Sequence, residues 1–216
     1  SFINALYNAC AICFQIDEYN EILMLLEDFI RKGNYDKKIY STLYKIYAVL
    51  GETEKTHKIL ELVVKKEPEN LKAWSALIFN SLYLDQFVQN ENSDLYKKFS
   101  NNITNHKITE KISISKKNSK IKIGFISPYF DGNSIDGFLL GLLENMDRKT
   151  FEIIGFNLNI SNNKSKHLIN YFDSWHHVHD LKDIDLINFI RRKNINILID
   201  LVGHGPGNRL SVIKNR

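Results

Sequence analysis

From Lys37 to Asn70 the residues Leu43, Tyr44, Tyr47, Gly51, Leu60, Val63 and Pro68 stand at the large apolar, turn-glycine and closing-proline positions of a helix-pair repeat. Such repeats recur about every 34 residues and bury their apolar faces only by stacking on neighbours. Leu43, Ile46, Tyr47 and Leu50 fall at i, i+3, i+4 and i+7, which gives a first helix one apolar stripe. Gly51 ends it, since glycine tolerates the left-handed backbone that a helix C-terminus often needs. Thr53 is placed to cap a second helix, whose stripe is Ile59, Leu60, Val63 and Val64. One period upstream, Leu6, Ala9, Cys10, Cys13, Tyr19, Leu26 and Phe29 take comparable positions, with Asp17 standing where the later unit has Gly51. Downstream, Trp74 and Leu77 open a third helix in phase, and Leu82, Leu84 and Phe87 then depart from the pattern, as in a terminal or capping helix.

Between residues 90 and 120 hydrophobicity falls and Asn, Ser and Lys accumulate. A linker with a short helix at Asp94–Asn101 is expected there. From Lys122 onward the period changes. Ile121, Ile123, Phe125 and Ile126 make a β-rich run, Ser127, Pro128, Asp131, Gly132 and Asn133 a loop, and Ile135–Met146 a helix. A strand at Phe151–Leu158, a helix at Lys164–Phe172, an extended piece at Trp175–Val178, a helix at Ile184–Arg192 and a strand at Ile195–Val202 follow. Strands that alternate with helices imply a parallel sheet built from crossovers. The last strand is almost continuously apolar, as a central strand covered on both faces would be. A sheet of about three strands would leave an edge and apolar surface uncovered. The expected organisation is helical repeats over 1–89, a linker over 90–120 and an incomplete Rossmann-like parallel α/β unit over 121–216. The absence of an initiator methionine at Ser1, and an apparent helix cut at Arg216, suggest a piece of a longer protein.

Composition narrows the partners. The net charge of +4 comes from lysines scattered along the chain, with one local concentration at Lys116, Lys117, Lys120 and Lys122. That falls short of a nucleic-acid footprint. No run approaches the roughly 20 apolar residues of a membrane span, and no secretory leader opens the chain, so the expected location is cytoplasmic. Cys10 and Cys13 lack a second cysteine pair and sit in a periodic apolar helix, which favours packing over redox or zinc chemistry. His176, His177 and His179 alternate across a strand, so only His177 and His179 share a face, and no metal site is expected. Tyr40, Tyr44 and Tyr47 read as repeat packing rather than a stacking platform for bases.

Ligands of open parallel sheets bind outside the carboxyl ends of the strands. The two loops to inspect there are Ser127–Ser134 and Gly203–Arg209. Gly203, Gly205 and Gly207 would let backbone approach a ligand, and the helix start after them would offer N–H groups to an anion. Arg209 could fork to a phosphate or carboxylate, and His204 could exchange protons near neutral pH. Spacing alone leaves open a second reading, in which the glycines only shape a turn and His204 caps or packs. No GxGxxG follows the first strand, which argues against a dinucleotide-binding domain.

The run Ile121–Arg148, the strand FEIIGFNLN and the segment NINILIDLVGHGPGNRL resemble the first half of the catalytic region of bacterial O-GlcNAc-transferase-like proteins and of the related SPINDLY-type proteins. AWSALIFNSLYL is similar to the last repeat helix of that family, whose repeats are of the tetratricopeptide type. The resemblance implies a two-lobed GT-B glycosyltransferase that transfers N-acetylglucosamine, or a related sugar, from UDP-N-acetylglucosamine to protein hydroxyls without a cofactor. It implies protein or peptide acceptors carried on the repeat surface, and a nucleotide-sugar donor gripped mainly by a second lobe. Asp200, Gly203, His204, Gly207, Asn208 and Arg209 match the family's second loop, with His204 as the catalytic candidate and the others as substrate-binding candidates. Asn133 stands where the family usually carries histidine, and asparagine cannot transfer a proton, though it can still contact substrate. The alternative is a repeat-based binding scaffold whose transferase half has decayed.

Overall fold

The computed structural model describes residues 2–84, 89–105, 119–130, 134–160 and 166–215. Asn133, Lys116, Lys117, residues 106–118 of the expected linker and the start of the expected helix at Lys164 lie outside the described residues. The chain divides into two compact units, Ser1–Asn102 and Ile103–Arg216. Among the described residues no helix is long and apolar enough to cross a membrane.

The first unit is helical: α1 Phe2–Ile16, α2 Asn20–Arg31, α3 Lys37–Val49, α4 Thr53–Lys66, α5 Leu71–Ser81 and α6 Gln89–Asn102. Local chemistry sets the boundaries. The Asp36 carboxylate accepts from the backbone N–H of Lys38 and Ile39 at 2.9 Å and starts α3. Asn70 starts α5 by accepting from Ala73 N at 3.1 Å. Both satisfy helix donors that have no partner within the helix. At the other ends, Asp17 (φ 54°) and Gly51 (φ 75°) take the same left-handed turn one repeat apart, and Asp is among the few residues besides glycine that tolerate it.

Two local expectations change. Thr53 is the first residue of α4 rather than its cap: its Oγ1 donates backward to Gly51 O at 3.3 Å, and Glu52 at the boundary gives no side-chain cap. Leu50 falls beyond the last residue of α3 and is 45% exposed, so the stripe of that helix ends at Tyr47. The stripe of α4 is buried throughout, and Leu26, Ile39, Leu43, Ile46, Leu60, Leu77 and Ile78 form the innermost layer. Cys10 is a buried free thiol. Tyr40 and Tyr47 are buried in the repeat packing, and the Tyr35 and Tyr40 rings lie 4.8 Å apart. The last helix extends past its expected limits, begins at Gln89 and packs on α5.

Tyrosine hydroxyls tie the repeats together in a way that apolar periodicity does not reveal. Tyr7 donates to Asp36 at 2.6 Å, Tyr47 to Glu27 at 2.5 Å and Tyr35 to Glu67 at 2.5 Å. Glu67, almost fully buried, also accepts from Asn70 Nδ2 at 2.8 Å and pairs with Lys37 Nζ at 2.8 Å. Burial pushes its carboxyl up, but the bonds from Lys37, Tyr35 and Asn70 outweigh this and hold it below the usual glutamate range. A depressed folded value means that its contribution is complete above the unfolded value and fades as pH falls through the folded one. Glu67→Gln should therefore unfold at lower temperature than the parent at pH 7. The difference should shrink on acidification below about pH 4. Glu67→Ala should cost about 1–3 kcal/mol, because Tyr35 and Asn70 lose their acceptor. Thermal unfolding of both variants across pH checks this.

The second unit contains β1 Ile121–Ser127, α7 Ser134–Asn145, β2 Phe151–Asn157, α8 Lys166–Ile169, β3 Ser174–His177, α9 Asp183–Arg192, β4 Ile197–Asp200 and α10 Leu210–Asn215. The strands form one sheet in the order β3-β2-β1-β4, and every neighbouring pair is parallel. The sheet thus has four strands rather than about three, because the extended piece around Trp175 pairs with β2.

The apolar strand near the C-terminus is not central. β4 is shorter than expected and pairs with β1 alone among the described residues, with Ile197 46% exposed. An apolar run reports cover on both faces, not a neighbour on both edges. Leu198 packs into the core on one face of the sheet and Ile199 into the core on the other. The first of these cores joins Ile126, Ile154 and Phe156 to Leu186, Ile187 and Ile190 of α9 and Val212 of α10. The second joins Ile123, Phe125 and Ile153 to Leu139 and Leu143 of α7 and to Phe172.

Candidate functional site

Strand order places the crevice. From β1 the chain moves to β2 and then β3 on one side, and returns to pair β4 on the other side of β1. The loop after β1 leads to α7 on one face, whereas the loop after β4 leads to α10 on the opposite face. This divergence is a topological switch point, where open parallel sheets bind ligands.

Backbone bonds fix the first loop at its base. Ser127, fully buried, accepts from Tyr129 N at 2.9 Å through its hydroxyl and from Leu158 N at 2.9 Å through its carbonyl. Pro128 O accepts from Asn159 Nδ2 at 3.0 Å. Phe130 is fully buried and sets its ring 4.9 Å from Trp175, anchoring the loop to the second core.

The second loop is held by Asp200 and Asn208. Asp200 accepts from Gly203 N at 2.7 Å and from Val202 N at 3.4 Å, which steadies the left-handed turn at Gly203 (φ 57°). Burial raises the Asp200 pKa, and these two donors oppose it. Asn208 donates to Gly205 O at 2.9 Å, and its Oδ1 receives Leu210 N at 3.5 Å, so the first N–H of α10 is met within the chain. Arg209 turns toward α9: its Nε donates to Asp183 at 2.6 Å and a terminal nitrogen to Leu181 O at 2.8 Å. Ser211 also donates to Asp183. Its geometry is that of a strut for the loop.

The two loops meet. Tyr129 Oη donates to Pro206 O at 2.7 Å. A Cβ on Gly207 would stand 3.1 Å from Pro128 Cγ, so the glycine (φ 76°) lets the loops approach. His204 lies half-buried in the second loop, and burial lowers its pKa, which favours the neutral imidazole at pH 7. Asp200 at the end of β4 and Gly203, His204, Gly207 and Asn208 in the loop that follows it therefore lie together at the carboxyl end of the sheet, while Asn133 lies outside the described residues.

Sequence reasoning missed Tyr129, the latch between the loops, and Asp183, the partner of Arg209. A tyrosine beside a proline in a polar loop was the available signal for the first. Nothing local marks the second. The histidines of β3 divide as strand alternation requires: the His176 ring lies 5.1 Å from Phe189 of α9, and the exposed His177 faces Asn157 with 3.3 Å between their nitrogens. Among the described residues no group of three or more His, Cys, Asp or Glu is placed to hold a metal.

Comparison with family models and with curated proteins returns no match. Among solved structures, the chain is similar to a mutant O-GlcNAc transferase of Thermobaculum terrenum, with a TM-score of 0.79 and 20% identity over 98% of this chain. The chain spans 41% of the length of that protein. A likeness at this identity establishes the fold alone: helical repeats followed by a partial parallel α/β unit.

Proposed function

We propose that this chain is the acceptor-side part of a protein O-linked N-acetylglucosamine (or related sugar) transferase with a UDP-sugar donor. The observation that carries the reading is the pair of polar loops latched by Tyr129 and Pro206 at the switch point of an all-parallel sheet, with a half-buried histidine in the second of them. The fold shared with an O-GlcNAc transferase supports it.

In this reading the sheet is the first lobe of a GT-B fold, and a second lobe holds UDP-N-acetylglucosamine. The helical repeats carry cytoplasmic protein acceptors, and no cofactor takes part. His204, neutral at pH 7, orients the acceptor hydroxyl and accepts its proton as the sugar transfers. Gly203 and Gly207 let backbone approach the substrate, Asp200 and Arg209 fix the loop, and Asn133 and Asn208 supply polar contacts. Electrostatic stabilisation of the leaving diphosphate falls to the second lobe.

The test is sugar transfer from UDP-N-acetylglucosamine to Ser/Thr peptides by the chain extended with a donor-binding lobe. Transfer by the extended protein and none by these 216 residues is the expected result. Calorimetric donor binding by the extended protein without transfer to any acceptor would instead favour a non-catalytic scaffold.

A further inference from the structure

A row of polar side chains closes the carboxyl end of the sheet on the face of the second core. Ser127, Asn157 and His177 are register neighbours on β1, β2 and β3, so they point to the same side of the sheet. Ser127 and Asn157 are fully buried, whereas His177 is exposed, with the Trp175 ring 6.3 Å from its own. One orientation of the Asn157 amide satisfies its neighbours. Its Oδ1 accepts the backbone N–H of Asn159 at 2.9 Å, so its Nδ2 is the atom that faces His177 Nδ1 at 3.3 Å. An amide nitrogen can only donate there. Nδ1 is therefore the acceptor, and the neutral imidazole carries its proton on Nε2, on the side of the ring away from Asn157. Asn159 in turn donates through its Nδ2 to Pro128 O at 3.0 Å, which ties the row to the first loop of the crevice.

We propose that His177 is a further substrate contact at this crevice: an uncharged Nε2–H donor, oriented by the buried Asn157, that binds a backbone carbonyl of the acceptor peptide. The inference rests on the transfer reading above and adds to it a residue that selects the acceptor. A fixed, uncharged donor matches a carbonyl oxygen, and the Asn157 amide beside it is already engaged on both sides. Strand spacing sets where the contact falls. β3 lies three steps across the sheet from β4, whose loop carries His204, which is about 14 Å at about 4.8 Å per step. An extended peptide covers that distance in about four residues. The hydroxyl that receives the sugar at His204 and the carbonyl held by His177 are therefore about four residues apart, and a peptide cut short of that carbonyl is indifferent to His177.

The test uses the chain extended with a donor-binding lobe, UDP-N-acetylglucosamine and two acceptor peptides, one long on both sides of its serine and one trimmed to the nearest neighbours. With the long peptide, His177→Leu should raise KM roughly three- to tenfold, the worth of one hydrogen bond, and leave kcat close to that of the parent. His177→Gln, whose amide nitrogen stands where Nε2 stood, should restore most of the affinity. With the trimmed peptide all three proteins should agree. Circular dichroism checks that each variant folds. Long-range ¹H–¹⁵N spectra of the 216-residue chain at about pH 8 should show the Nε2–H tautomer at His177. An Nδ1–H tautomer, an equal KM in His177→Leu, or a loss that the trimmed peptide shares would overturn the proposal while transfer by the parent persists. No transfer by the parent would defeat the reading itself, and this contact with it.

Discussion

His204→Ala, made in the chain extended with a donor-binding lobe, is expected to lower transfer to peptides by about 10²- to 10⁴-fold, the usual contribution of a positioned proton acceptor. The loop should survive the change, because Asp200, Asn208 and the Tyr129 latch fix its backbone. On the proposed reading, in which a second lobe holds the donor, donor affinity should stay close to that of the parent. The parent should also show a pH profile that the variant lacks. Burial lowers the His204 pKa, so the imidazole is a competent base from neutral pH down to that depressed value, and transfer should fall only below it. An unchanged rate in His204→Ala would remove this residue from the mechanism and return it to the packing role that sequence alone left open.

Phe156→Ala should cost the second unit about 3–5 kcal/mol, as for other fully buried aromatics. Phe156 is fully buried on β2, with Phe189 6.2 Å and His176 6.0 Å from its ring. It also occupies space that a glycine leaves on the neighbouring strand: a Cβ on Gly124 would stand 2.7 Å from its ring. Truncation opens that shared volume, and the two strands cannot close it without losing register. Phe138, 85% exposed on α7, is the control, and Phe138→Ala should change stability by less than about 0.5 kcal/mol. Urea unfolding followed by the near-ultraviolet signal in a Trp74→Phe background, which leaves Trp175 of the second unit as the one tryptophan, compares the two.

Much of the fold was legible because periodicity encodes burial. The repeat at Leu43, Tyr47, Leu60 and Val63, and the αL turn shared by Asp17 and Gly51, follow directly from apolar spacing and helix-end chemistry. The alternation after Lys122 likewise gives parallel strands. Strand order is not written there. Ile195–Val202 reads as central because both of its faces are covered, yet lateral pairing depends on hydrogen bonds between backbones that side chains do not report. The same limit applies at the site. The polar loops identify Asp200, His204 and Asn208, but contacts over long separations, such as Tyr129 with Pro206 and Arg209 with Asp183, exist only once the sheet has brought the loops together.

That convergence is open to direct measurement in solution. In a ¹³C/¹⁵N-edited NOESY spectrum of the labelled chain, the Tyr129 ring protons should show cross-peaks to Pro206 and Gly207, and the Phe125 and Ile199 backbones should show the contacts of parallel neighbours. Cross-peaks of antiparallel pairing between β1 and β4, or a Tyr129 ring without proximity to residues 206–207, would contradict the account and leave the helical repeats as its only part still standing.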